Sequence, residues 1–165
     1  TWPAHRPVSS SVARAKRLAG VSRSTQTLGV AIHTYRAMPQ VSAEAVVREF
    51  WRLMATNDFH SVKVVLAEEF TVEWPQSKER IRGGENFARM NAEYPTSGRW
   101  QFKINRLLAS GTEVVTQVSV SDGTQATEPI WFFTVVGAKI TKLVEYWPEQ
   151  FAAADNRRHL VEPMA

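Results

Sequence analysis

The spacing of apolar residues changes partway along this chain, and that change constrains the fold more than any other feature of the sequence. Before Pro95 the apolar residues recur mainly at helical spacing; from Trp100 onward they alternate. Val46, Val47, Phe50, Trp51 and Met54 share one face of a helix predicted over Ala43–Ala55, with Ser42 as N-cap and Glu44 and Glu49 toward its start. Asn57-Asp58 ends it. Phe59–Leu66 reads as a second, short helix, and Phe70–Trp74 as a strand stopped by Pro75. Gly83-Gly84 opens a third helix that runs to Pro95.

Four strands then follow as a meander: Trp100–Leu108, Glu113–Ser121, Glu128–Val136 and Lys139–Trp147, with Asp122-Gly123 and Gly137-Ala138 as turns. Helices in one stretch and strands in the next give an α+β fold. The strand around Trp131-Phe132-Phe133 is apolar on both faces, so both need cover. Helices or a pocket supply one cover, and a second copy of the chain is expected to supply the other.

Charge separates the chain into parts. Residues 1–40 hold Arg6, Arg14, Lys16, Arg17, Arg23 and Arg36 and no acid, whereas the whole chain is +4, so residues 41–165 stand at −2. The part expected to fold is therefore a poor partner for nucleic acid. Residues 1–39 read as a basic, disordered leader, 40–150 as the folded domain and 151–165 as a tail. An Arg- and Ser-rich leader leaves a targeting role open; the alternative takes Met38 as the natural start and the protein as cytoplasmic. No stretch of the sequence is long and apolar enough for a membrane helix. With no cysteine, disulfides, thiolate metal sites and a thiol nucleophile are excluded. His5, His33, His60 and His159 have no metal-ligand spacing, and no metal or cofactor is expected.

The order of elements, with the phrases Asn57-Asp58-Phe59, Phe70-Thr71-Val72-Glu73-Trp74-Pro75, Arg82-Gly83, Glu128-Pro129-Ile130 and Glu145-Tyr146-Trp147, resembles the NTF2-like superfamily. The resemblance is to the branch that contains ketosteroid isomerases, limonene epoxide hydrolases and SnoaL-like proteins. It implies a cone-shaped fold of three N-terminal helices against a curved, mostly antiparallel sheet that encloses an apolar pocket. The catalytic groups carry over poorly. The positions of the isomerase tyrosine, base and protonated acid match Phe50, Trp74 and Trp131 here, so isomerase chemistry of the usual type is not expected. The epoxide hydrolase pattern places a carboxylate at Glu145 but Gln117 and Ser119 at its charged middle-strand pair.

Glu145 is thus the candidate catalytic residue, with Gln117 and Ser119 as weaker candidates able to hold a water beside it. Phe50, Trp51, Trp74, Trp100, Trp131 and Trp147 are the candidate pocket residues. A carboxyl among indoles should have a raised pKa and suits a general acid, or an anchor for a cation over aromatic faces. Alternatively the aromatics simply fill the core, and Glu145 pairs with Arg82, Lys142 or Arg106. Arg80 and Arg82 read either as a rim clamp or as a solvated loop. The leading functional reading is a dimeric pocket protein for a small hydrophobic or aromatic molecule. The others are a non-catalytic interaction domain and an epoxide hydrolase.

Overall fold

The structure, a computed structural model, describes residues 41–164. The expectations for the leader lie outside the described residues. Helix α1 spans Ala43–Met54, capped by the Ser42 hydroxyl, which accepts from the backbone N–H of Ala45. Asn57 ends it in a left-handed conformation with φ 63°. The Asn57 carboxamide donates to the Trp100 carbonyl and accepts from the Trp100 N–H, fixing the helix end to the start of the long hairpin. Phe59–Val65 is a 3-10 helix, and Leu66 already belongs to strand β1. The strand therefore starts four residues before the Phe70 expected from sequence.

Strand β1 (Leu66–Trp74) pairs antiparallel with β2 (Glu79–Arg82), a strand that alternation did not reveal because only Ile81 in it is aliphatic. Helix α2 covers Gly84–Glu93. Then come β3 (Gln101–Ser110), β4 (Glu113–Ser121), the two-residue β5 (Ala126–Thr127), β6 (Ile130–Val136) and β7 (Lys139–Tyr146). The sheet runs β2-β1-β7-β6-β4-β3, with β5 attached to β4. The expected meander is present, and the early strand β1 joins it parallel to β7, which makes the sheet mixed and open at β2 and β3.

The core lies between the helices and one face of this sheet. Val46, Val47, Phe50, Trp51, Leu53 and Met54 of α1 and Phe87 and Ala88 of α2 are buried against it. The sheet supplies Phe70 and Val72, then Val114, Val118 and Val120, then Phe133 and Val135, and Ile140 and Leu143. Pairing fixes which residues share this inner face. Thr116 pairs Trp131 and Trp131 pairs Glu145, so the three form one inward row across β4, β6 and β7. One residue along, Gln117, Ile130 and Tyr146 form an outward row.

Candidate functional site

Glu145 owes its place to that register. It is 1% exposed, and its Oε2 accepts from the indole N–H of Trp74 at 2.7 Å and of Trp147 at 2.9 Å. Trp147 reaches it from two positions along the same strand direction, and Trp74 from the end of the parallel neighbour β1. The other oxygen, Oε1, is buried and has no hydrogen-bond partner among the described residues. Burial pushes the carboxyl up to about 7, and the two indole bonds, which favour the ionised form, oppose that rise. No lysine, arginine or histidine among the described residues pairs with Glu145. Lys142 instead binds Glu73, and Arg82 and Arg106 make no ion pair with it, so a structural ion pair is not formed.

A cavity of about 330 Å³ opens beside this group, a volume in the range of small-molecule sites. Trp74, Trp131, Glu145 and Trp147 form one wall. Met90, Asn91 and Tyr94 come from one side of α2 and the residue that ends it, and Trp100, Phe102 and Val120 from the β3–β4 hairpin. Ser77 and Glu79 stand at the β1–β2 turn, and Gln125, Ala126 and Thr127 close the far side. Two further bonds set the rim. Gln76 binds the Trp147 backbone at both its N–H and its carbonyl. Asp122 accepts from the N–H groups of Ser97, Thr124 and Gln125, which holds the loop after α2 against the loop before β5. Those backbone bonds keep the Asp122 carboxyl well below the ordinary carboxylate range.

The structure therefore brings Glu145 together with Trp74, Trp100, Trp131 and Trp147. It does not bring Phe50 or Trp51 to the cavity. Phe50 is fully buried, with ring centroids 5.2 Å from Phe133 and 6.0 Å from Phe87, and Trp51 packs 4.7 Å from Trp131. Both are core residues behind the wall. Nor do Gln117 and Ser119 approach Glu145. They lie on the outer face, where each donates to the Glu128 carboxylate, so no shared water can be held by all three. The physical reason is strand parity, since the inward neighbour in this row is Thr116. Arg80 is no rim clamp either, being engaged with Glu73 across the β1–β2 pair.

Several lining residues escaped the sequence reading. Tyr94 and Met90, four apart, carry a legible helical spacing, and Phe102 and Val120 share a register pair on the alternating strands. Gln125–Thr127 carries no comparable signal, because its position depends on the long-range Asp122 contacts.

Comparison with known proteins agrees with this architecture. The family model for the SnoaL-like domain matches residues 47–143. The chain belongs to the SnoaL-like family. Among solved structures, a proposed ketosteroid isomerase from Kribbella flavida DSM 17836 is 31% identical, with a TM-score of 0.68 over 74% of this chain and 90% of that one. An NTF2-like protein from Burkholderia xenovorans LB400 is 20% identical, with a TM-score of 0.62 over 74% of this chain and 95% of that one. An LEH-like epoxide hydrolase of M. tuberculosis is 24% identical, with a TM-score of 0.54 over 64% of this chain and 82% of that one. A search of curated proteins gives no significant match. Among the described residues of this SnoaL-like protein, no helix is long and apolar enough to cross a membrane.

Proposed function

We propose that this SnoaL-like domain binds a small, largely apolar, ring-containing molecule in the cavity and moves a proton on it through Glu145. The observation that carries the reading is the asymmetry of a carboxyl that lines an aromatic cavity: one oxygen is held by two indole N–H groups, and the other is buried without a partner. In this reading the proton resides on Oε1, the oxygen that no indole N–H engages. Trp74 and Trp147 hold the group in place and steady its charge when it is ionised. A carboxyl near 7 is present in both forms at neutral pH, which is the requirement for general acid–base work. The Kribbella flavida relative suggests a proton shift next to a carbonyl as one reaction of this kind. Here the carboxylate would come from β7 rather than from the end of β1, where Trp74 stands.

The test is a thermal-shift screen of the full chain against steroids, terpenoids, epoxides and aromatic polyketides, followed by turnover of any ligand found. A ligand at 100 times its Kd stabilises the fold by about 2.7 kcal/mol. Glu145→Gln keeps the shape and, at saturating ligand, should lose turnover by roughly 10²- to 10⁴-fold. Undiminished turnover in that variant, or no stabilisation by any class, counts against the proposal.

A second feature favours a partner as well. Leu108, Val115, Phe132 and Val144 form one outward row across four strands, and Ile130, Val136 and Tyr146 extend the apolar face. Phe132 is 42% exposed and Leu108 71%. Connected apolar surface of this kind marks an interface, and a homodimer formed through this face of the sheet is the natural occupant.

A further inference from the structure

The cavity carries a charge preference that a purely apolar site would lack. Of its lining side chains two are acids, Glu145 and Glu79, and none is lysine, arginine or histidine. Glu79 sits on β2 directly across from Trp74 in the strand pairing, and neither acid has a cationic partner among the described residues. Glu145 is almost completely buried and leaves Oε1 unpartnered. An ionised carboxyl in such a place is costly unless a positive charge comes to it. Trp74 and Trp147 meet it with their indole N–H edges; Trp131, Tyr94 and Trp100 also line the cavity, and a cation in that space is attracted by aromatic faces, those of indole most.

The geometry points to a protonated amine as the ligand class: an ammonium group drawn to the Glu145 carboxyl in the cavity wall, and its apolar body among the tryptophans. This inference rests on the cavity being a ligand site, as proposed above. A neutral ligand would gain nothing from the charge of the carboxyl, and an anion would meet two acids with no base to receive it.

The inference also sets a pH dependence. Glu145 is faced by Trp74 from β1, Trp131 from β6 and Trp147 beyond its own strand, none of which titrates in the neutral range. The other ionisable groups in the cavity are Glu79 and Tyr94. Ammonium binding draws on the ionised form of Glu145 and so strengthens as pH rises through about 7.

The experiment is isothermal titration of the full chain with benzylamine, benzyl alcohol and benzoate, which share a ring and differ in charge. Near pH 8 the amine should bind at least about tenfold more tightly than the alcohol, and benzoate more weakly than either. At pH 6 the amine should weaken and its binding should release protons, visible as a dependence of the heat on buffer. Glu145→Gln should abolish the difference between the amine and the alcohol. Glu79→Gln, at an exposed position, should produce a smaller loss of the same sign. Equal affinity for amine and alcohol, or tighter binding of benzoate, overturns the ammonium assignment and leaves the cavity reading standing. Binding of none of the three, by a chain with a normal melting transition, overturns both.

Discussion

At the scale of single residues, Glu145 couples the site to stability, and the sign can be worked out. Its carboxyl is raised from 4.5 to about 7 on folding. The folded state therefore holds a proton that the unfolded chain gives up, and the stability this confers is complete below 4.5 and is lost as pH rises to about 7. The displacement corresponds to roughly 3 kcal/mol. Urea denaturation of Glu145→Gln should lack this fall, so that the variant gains on the wild type between pH 5 and 8; parallel profiles would show that Glu145 does not titrate abnormally. Phe50 tests the other kind of buried aromatic. As a fully buried core residue it should cost about 3–5 kcal/mol on truncation to alanine. A loss below about 1 kcal/mol would instead fit a residue bordering open space.

At the scale of elements, the cavity depends on loops held by one side chain. Asp122 joins the turn after β4 to the segment following α2, and its low pKa places its contribution above the ordinary 3.8. That contribution is lost as pH falls below this value. Asp122→Ala should therefore lower the melting temperature at pH 7, with a deficit that narrows in acid. Gly98 lies against the same junction. A Cβ there would stand 2.6 Å from the Asp122 carbonyl oxygen, so Gly98→Ala must push the two loops apart. The expected loss is about 1–3 kcal/mol by overpacking, read as a lower denaturation midpoint, together with faster hydrogen exchange at Thr124 and Gln125. Strand parity belongs to this scale too. It puts Thr116 inward and Gln117 outward, a distinction of one residue that alternation in a weakly patterned strand did not resolve.

At the scale of the whole molecule, the mixed sheet has two faces with separate tasks. The inner face carries the core and Glu145; the outer one presents the apolar row centred on Phe132. Phe132→Glu puts a charge in the middle of that row without touching the inner face. Sedimentation equilibrium should show the wild type as a dimer and this variant as a monomer with an unchanged cavity. A monomeric wild type at micromolar concentration would remove the proposed homodimer.

The sequence by itself determined the α+β class and the meander, which follow from local periodicity, and it carried the family resemblance in the order of its elements and in short phrases such as Glu145-Tyr146-Trp147. It put Glu145 and Trp147 on one face of a strand but left open whether that carboxyl met a pocket or an ion-pair partner. Trp74 and Trp131 were legible as pocket candidates because they stand where the family resemblance puts the isomerase base and acid, with Trp100 expected near the rim. Only the tertiary structure decided that Phe50 and Trp51 lie behind the cavity wall, that Gln117 and Ser119 face away from Glu145, and that β1 pairs parallel with β7. It also decided that Trp74 and Trp147 share one carboxylate oxygen and that the other is buried without a hydrogen-bond partner. Those facts depend on contacts between residues as far apart as Trp74 and Glu145, where the energy of each pairing is set by register and packing across the sheet rather than by anything near either residue along the chain.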